Sequence, residues 1–360
     1  MLLFWLHIWI LCAKINRMDW NLLGHDWAIE LLQAHIGQNE VRHAYLFCGA
    51  PGIGRRTLAL RFVQALNCTE PPQPGVPCRS CLTCRQIEKM QYSDLLVVQA
   101  EQEGATLKVD QIRELQRSLA LAPYQGRYKV ALLLRFEEAH PSAMNALLKT
   151  LEEPASQVVI LLTADSPENL LPTIVSRCEV MRLRPLSLEQ VSQELQRRNQ
   201  LPAEKARLLA HISNGRPGLA LRFVKQPERL EERAVWLDDL ARLMPASLVE
   251  RFNEAETLAK DKENLRNILL VWLSYWRDVT LKSAGAGASI TNLDRLAEIT
   301  ALGEHLDLRK ASRMTCSLER AVDLLERNIN PRLVMENLML DLPHFRFATD
   351  NPLITDLKTP

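Results

Sequence analysis

A glycine-rich segment at residues 49–54 has the composition of a loop that binds phosphate. It reads GAPGIG, follows the apolar run 44–48, and precedes a helical pattern of apolar residues. Loops of the form G-x-x-x-x-G-K-[ST] bind nucleotide phosphates because their backbone N–H groups and the following helix N-terminus point at the anion. Gly49 and Gly54 have the required spacing, with Gly52 between them.

The residues after this loop do not carry the usual chemistry. Arg55 stands where a lysine contacts the β- and γ-phosphates, Arg56 stands where a hydroxyl binds Mg²⁺, and Thr57 comes one place late. A guanidinium cannot bind a cation, and its planar fork does not replace the compact charge of lysine. The sequence therefore predicts a degenerate nucleotide loop, with ATP binding that is absent or weak.

The other half of the magnesium site is also missing. In nucleotide-hydrolysing proteins with this arrangement, a neighbouring strand ends in an aspartate that binds Mg²⁺ and a glutamate that orients the attacking water. Leu134 and Arg135 occupy these places, and carboxylates appear only at Glu137 and Glu138. We interpret these two glutamates as a solvated helix start rather than as a displaced metal site. Two losses in one site predict that the chain does not hydrolyse ATP.

Half of the eight cysteines lie in the short stretch 68–84, with the spacing C-x₉-C-x₂-C-x₂-C at Cys68, Cys78, Cys81 and Cys84. Gaps of two residues let neighbouring thiolates face one metal ion, and the Pro/Gly-rich turn can bring Cys68 back to complete a tetrahedron. Four thiolates leave no position for water, which predicts a structural zinc site. An iron–sulfur cluster and unrelated free thiols are the alternatives.

The elements that must position these residues alternate along the first half of the chain. Apolar runs predict strands, and residues spaced three and four apart predict helices. Because strands alternate with helices, we expect a parallel α/β sheet of five strands. The predicted strands are 44–48, 94–100, 128–134, 157–163 and 179–183, and the predicted helices are 19–38, a segment after the loop that ends near 67, 109–122 and 141–153.

Strand signals are absent after Pro185, and the rest of the chain predicts helices. We divide the chain into an α/β domain at 18–185, a small helical domain at 186–227, a helical domain at 228–343 and a tail at 344–360. The predicted helices are 187–198, 203–213, 217–224, 230–243, 248–259, 262–281, 293–302, 308–328 and 331–340.

Composition limits the classes of protein to consider. The chain has 360 residues with 47% hydrophobic and 24% charged residues, which is ordinary for a globular protein, and its net charge of +1 gives no general nucleic-acid footprint.

The apolar run 2–13 is too short to span a bilayer and lacks the features of a signal peptide. We interpret residues 1–17 as the product of an over-extended gene prediction, with a real apolar extension or a membrane anchor as alternatives.

Together these features resemble one family, the delta-prime subunits of bacterial DNA polymerase III clamp loaders, which belong to the AAA+ class. The resemblance covers roughly 20–340 and rests on HAYLFCGAPGIG at 43–54, the cysteine insert at 68–84, NALLKTLEEP at 145–154 and TIVSRC at 173–178. It implies an AAA+ domain, a small helical lid and a helical collar through which five subunits form an open ring. The cysteines fall on the zinc positions of the family.

The resemblance also implies a role for Arg177. In the family this arginine reaches the ATP site of a neighbouring motor subunit as an arginine finger. Without the resemblance, Arg177 would be interpreted as a cation at a helix end that pairs with a local carboxylate. Gly218 stands where motor subunits carry a second ATP-sensing arginine. The implied protein has no catalytic activity of its own, although it is a component of a DNA polymerase holoenzyme.

The implied partners are the ATPase motor subunits, the delta subunit, the sliding clamp and primed double-stranded DNA held by the assembled ring. The implied location is the cytoplasm, with no membrane contact. Two alternatives follow from the same residues. An active ATPase motor subunit would need Mg²⁺ ligands where Arg56 and Leu134 stand. A zinc-module adaptor would leave Arg177 without a role.

Overall fold

The computed structural model describes residues 20–101, 105–327 and 329–347, and its contacts divide the chain into two units. Unit 1 comprises Met1–Ser187 with Arg216–Leu219, and unit 2 comprises Leu188–Gly215 with Ala220–Pro360. The predicted extension at 1–17 and most of the predicted tail lie outside the described residues. The finer division into lid and collar domains stays a prediction.

Unit 1 is built on a parallel sheet of five strands, which confirms the predicted fold class. The strands are β1 (Ala44–Cys48), β2 (Leu95–Val98), β3 (Lys129–Leu133), β4 (Val158–Ala164) and β5 (Glu179–Arg182). Their order in the sheet is β2-β3-β4-β1-β5, so that β1 lies between β4 and β5. Every residue of β1, β3 and β4 is buried, as expected for apolar strands covered on both faces.

Helices cover the two faces of this sheet. They are α1 (Asp26–Gly37), α2 (Arg55–Asn67), α3 (Leu82–Glu88), α4 (Val109–Leu119), α5 (Pro141–Glu152) and α6 (Pro172–Val175). Alternate residues of β1 join two separate apolar clusters, Tyr45 and Phe47 in one and Leu46 and Cys48 in the other. This period of two follows from the pleat of the strand.

Among the described residues, the first helix begins at Asp26, so the predicted start at Asp19 is wrong. Gly24 and His25 both have left-handed backbone angles, φ 73° and 63°, which an α-helix cannot contain. The residues before the helix are nevertheless held in place, since Trp20 is fully buried and its indole N–H donates to the carbonyl oxygen of Gly75 at 2.9 Å.

Unit 2 is helical, as predicted, with shifts of a few residues at helix ends. Its helices are α7 (Leu188–Asn199), α8 (Ala203–Ile212), α9 (Pro217–Lys225, which begins in unit 1), α10 (Glu228–Leu243), α11 (Leu248–Leu258), α12 (Lys262–Ser283), α13 (Leu296–His305), α14 (Leu308–Glu326) and α15 (Pro331–Asp341). Trp272, Trp276 and Met335 lie in its core. Within the described ranges, no helix is long and apolar enough to cross a membrane.

A buried arginine joins three helices of unit 2. The side chain of Arg251, on α11, is buried, and its guanidinium donates to backbone carbonyl oxygens at and just beyond the ends of α10 and α15. The last carbonyl groups of a helix have no partner within the helix. Arg251 supplies those partners and so fixes the ends of α10 and α15 to α11.

Candidate functional site

The glycine-rich loop connects the end of β1 to the start of α2, as the sequence predicted. Gly49 has φ 148°, and a Cβ atom there would lie 2.6 Å from the carbonyl oxygen of Leu183. Gly52 has φ 81° and Gly54 has φ 115°, so both lie in the left-handed region. Side chains would strain all three positions, and the loop therefore depends on glycine at each of them.

A short segment of unit 1 covers one carbonyl group of this loop. The backbone N–H groups of Gly218 and Leu219 donate to the carbonyl oxygen of Gly52 at 2.8 and 3.2 Å. A Cβ atom on Gly218 would lie 2.7 Å from that oxygen. The close approach thus requires glycine at 218.

Arg55, at the lysine position, is neutralised within the chain. Its side chain is only 10% exposed, and its Nη1 lies 2.6 Å from Oδ1 of Asp165 and 3.8 Å from Oε1 of Glu137. Asp165 follows the last residue of β4, and Glu137 lies in the 3₁₀ turn after β3. Asp165 therefore takes the charge that a loop lysine would offer to a phosphate, and Glu137 lies further from it.

Glu137 is not the solvated residue that the sequence predicted. Its side chain is 16% exposed, and burial, together with the neighbouring Asp165, raises its pKa well above the usual range of a glutamate. Glu138 is also partly buried and accepts a hydrogen bond from Nε of Arg135 at 2.9 Å. The prediction was wrong because each glutamate lies beside an arginine. Glu137 is near Arg55, which is distant in the sequence, and Glu138 pairs with Arg135, which has a left-handed backbone conformation.

The remaining positions of the loop offer no magnesium ligand. Arg56 is exposed, and its Nη2 lies 3.4 Å from the sulfur of Met90. Thr57 is exposed one place further along α2. Leu134 is buried, and Arg135 adopts a left-handed conformation with φ 50°. A hydroxyl and a carboxylate are thus lacking where Mg²⁺ would need them.

The four cysteines of the insert come together in one cluster, as their spacing predicted. The Sγ atoms of Cys68, Cys78, Cys81 and Cys84 all lie within 4.8 Å of one another. Sulfur atoms bound to one tetrahedral zinc are separated by roughly 3.8 Å, and the Sγ atoms of Cys78 and Cys84 are 4.0 Å apart. The cluster can hold one metal ion.

Backbone groups of the insert favour charged sulfur atoms in this cluster. The N–H groups of Cys78, Cys81 and Cys84 donate to the sulfur of Cys68, Cys78 and Cys81, respectively, at 3.3, 3.3 and 3.4 Å. Such bonds stabilise thiolates and orient metal ligands. The arrangement fits a bound cation better than it fits four neutral thiols.

Polar contacts fix the cysteine insert to α2. Gln64 donates to the carbonyl oxygen of Cys84 at 2.7 Å, and Arg61 forms an ion pair with Glu88 on α3. Arg61 and Gln64 are both buried. The sequence predicted the cysteine cluster but not the helix α3, which begins at Leu82 and carries the fourth cysteine.

Arg177 follows α6 and forms a local ion pair. Its Nη2 donates to Oε1 of Glu152 at 2.6 Å, and its Nη1 donates to the carbonyl oxygen of Thr173 at 2.8 Å. The side chain is 34% exposed. The local pairing expected without the family resemblance is therefore present, and the exposed part of the guanidinium still leaves N–H groups for a partner.

Comparison with known proteins decides the family. A family model described as DNA polymerase III, delta subunit, matches residues 24–187. The DNA polymerase III subunit delta' of Pseudomonas aeruginosa is 31% identical over 330 residues, which cover 88% of this chain and 96% of that protein. The chain belongs to the delta' family. Its unit 1 is a parallel α/β domain with a cysteine insert.

Other relatives match a smaller share of the chain or are less similar in sequence. The tau subunit of Escherichia coli is 35% identical over 176 residues, 49% of this chain and 27% of that protein. The chain thus spans about a quarter of the tau subunits that it matches. A solved structure of a DNA polymerase III gamma subunit-related protein from Thermotoga maritima aligns with a TM-score of 0.43 at 18% identity, over 87% of this chain and 97% of that chain.

Sequence reasoning about this delta' family member missed Asp165, the partner of Arg55. A signal was available, because Asp165 directly follows a buried parallel strand. In the sheet, Ala164 at the end of β4 pairs with Cys48 at the end of β1. Residues that follow neighbouring parallel strands meet at the same edge, so an acidic residue at 165 lies beside the loop that begins at Gly49.

Proposed function

We propose that this delta' family member is a subunit of a clamp loader that does not hydrolyse ATP itself. The observation that carries the proposal is the ion pair of Arg55 with Asp165, at the place where a working loop keeps a free lysine. The loop retains the glycines of a phosphate-binding backbone. It lacks a free lysine, the hydroxyl that would bind Mg²⁺ and the carboxylate that would bind Mg²⁺. The chain would affect ATP hydrolysis only at the site of a neighbouring subunit.

Arg177 is the residue of this chain that we assign to act in the neighbouring subunit. It would serve as an arginine finger that enters the ATP site of a motor subunit of the tau or gamma type. There it would neutralise the charge that develops on the transferred phosphoryl group. A guanidinium whose side chain is about one-third exposed and that has unused N–H groups fits this role. The other partners in the proposal are a delta subunit, a sliding clamp and primed double-stranded DNA, in the cytoplasm.

Zinc is the metal that we assign to Cys68, Cys78, Cys81 and Cys84. Four thiolates with tetrahedral separations suit zinc, which needs no further ligand in structural sites. A multi-iron cluster would bind its cysteines to different metal atoms, which calls for wider separations than the 4.8 Å observed. The ion would fix the insert to α2 and would take no part in catalysis.

Reconstitution tests the role in clamp loading. The chain is mixed with the motor and delta subunits, the sliding clamp and primed DNA of its own organism, and loaded clamps are counted by gel filtration of the DNA. We expect loading to fall to background when this chain is omitted and to return when it is added back. Full loading by the other subunits alone would contradict the proposal.

ATP titration tests the degenerate loop. We expect a fluorescent ATP analogue to bind the purified chain with a Kd above about 1 mM, equivalent to roughly −4 kcal/mol, and Mg²⁺ to make no difference. The matched variant is Arg55→Lys/Arg56→Thr, which restores both loop groups. It should remain indifferent to Mg²⁺, because Leu134 and Arg135 still supply no carboxylate. Tight binding by the wild type that depends on Mg²⁺ would overturn the assignment.

A further inference from the structure

Two sequence motifs that are distant along the chain meet at Arg177. The motif NALLKTLEEP contains the end of α5, whose last residue is Glu152, and the motif TIVSRC contains α6 and Arg177. Oε1 of Glu152 accepts a hydrogen bond from Nη2 of Arg177 at 2.6 Å. The contact joins residues 25 positions apart in the sequence, so it depends on the fold of unit 1 and not on helix periodicity.

Local acceptors hold both terminal nitrogens of the guanidinium. The carbonyl oxygen of Thr173, within α6, accepts from Nη1 at 2.8 Å, Oγ of Ser176 accepts weakly from the same nitrogen at 3.5 Å, and the carboxylate of Glu152 accepts from Nη2. A guanidinium has five N–H groups. The three contacts use three of them, and the side chain is 34% exposed. The head group therefore has a fixed place and free donors at once.

A fixed place matters for an arginine that acts in another subunit. An arginine side chain has four rotatable bonds, and an unrestrained one loses much rotamer entropy when it is fixed against a phosphate. In an active site, a shift of about 1 Å in a group can lower the rate by about a hundredfold. A carboxylate that holds the guanidinium beforehand removes part of that cost.

We propose that Glu152 is a positioning residue for Arg177, orienting the guanidinium before it meets the phosphates of the neighbouring subunit. The inference rests on the proposed role of Arg177. Stabilisation of the fold is a poor explanation of the pair, because the side chain of Glu152 is 50% exposed and exposed ion pairs contribute little to stability. Glu152 would therefore act by orienting the guanidinium of Arg177.

The test measures ATP hydrolysis by the reconstituted loader. The quantity of interest is the part of kcat that depends on Arg177, obtained by subtracting the rate of a loader that carries Arg177→Ala. We expect Glu152→Ala to lower this part roughly tenfold without a change in KM for ATP. Glu152→Gln should restore most of it, since its amide oxygen still accepts the hydrogen bond.

Glu153→Ala is the matched control. It removes the same charge from the next residue, whose exposed side chain is not among those described as contacting Arg177. We expect no change in rate for this variant, and a Tm within about 2 °C of the wild type for all of these variants. In the background of Arg177→Ala, Glu152→Ala should have no further effect.

Several results would overturn the inference. An unchanged rate in Glu152→Ala, with Arg177→Ala still defective, would leave the finger in place and remove Glu152 from it. A faster rate in Glu152→Ala would show that the carboxylate competes with the phosphate. A further loss in the Arg177→Ala background would show that Glu152 acts by another route. If Arg177→Ala itself had no effect, the proposed function would fail and the positioning role with it.

Discussion

We expect Arg177→Ala to lower ATP hydrolysis by about a thousandfold or more at the one motor site that this chain faces. The size follows from other trans arginines in phosphoryl transfer, which contribute about 10³ to 10⁵ in rate. In the assembled ring the steady-state rate would fall only to the level that the other sites sustain. Single-turnover hydrolysis resolves the loss, because one phase of the time course disappears.

A neighbouring arginine provides the control for this prediction. Arg182 also pairs with a local carboxylate, Glu168, at 3.0 Å, and its side chain is 60% exposed. Arg182→Ala removes a comparable surface ion pair and should leave every phase unchanged. Arg177→Lys should give an intermediate rate, since it retains the charge but not the planar fork. If the single-turnover time course of Arg177→Ala kept every phase of the wild type, the motor site would not use this arginine.

The sheet could be predicted from sequence because its signals are local. Runs such as 44–48 and 158–162 are continuously apolar, and a run of that length is typical of a strand buried on both faces. The start of α1 could not be predicted in the same way. The left-handed residues Gly24 and His25 lie inside a pattern that reads as helical, and Trp20 packs against Gly75 through tertiary contacts.

The helix α3 was missed for a related reason. Leu82 at its start is 65% exposed, and the helix has only seven residues, too few for an amphipathic pattern to be recognised. Its N-cap is Cys81, whose sulfur accepts a hydrogen bond from the N–H of Cys84. Local propensity does not predict such a helix, because the cysteine cluster itself shapes it.

The candidate site also has features that could be predicted from the sequence and features that could not. The spacing of the glycines and the replacements at Arg55 and Arg56 can be read directly from the sequence, since each position has a known duty in a phosphate loop. The pairings of Arg55 with Asp165 and of Arg177 with Glu152 are different. Each joins residues from separate elements, and only the parallel register of the sheet or the packing of α5 on α6 brings them together.

Metal removal should have a large effect on unit 1. We expect one zinc ion per chain by elemental analysis, and we expect a strong chelator or Cys84→Ser to release it. A cross-link that closes a loop of about 15 residues contributes about 3 kcal/mol to stability, and the stretch from Cys68 to Cys84 is of that size. The free energy of unfolding should fall by at least about this amount, measured by urea denaturation.

Hydrogen exchange locates the effect of metal removal. The amides of Cys78, Cys81 and Cys84 donate to sulfur atoms of the cluster, so their protection should be lost with the ion. Protection in β1 and β4 should persist under mild conditions, because those strands are held by the sheet. Cys316→Ser is the control, since Cys316 is an exposed free cysteine of unit 2.

The opposite result would change the account of the insert. If the purified chain held no metal and the chelator left exchange at these amides unchanged, the polar contacts to α2 would be sufficient to hold the insert. Gln64 and the ion pair of Arg61 with Glu88 would then be the main anchors. Structural zinc normally provides folding free energy to small modules that lack a core of their own. The insert has the turn 70–75 and a single short helix, with few apolar residues, so the ion is the component on which its fold should depend most.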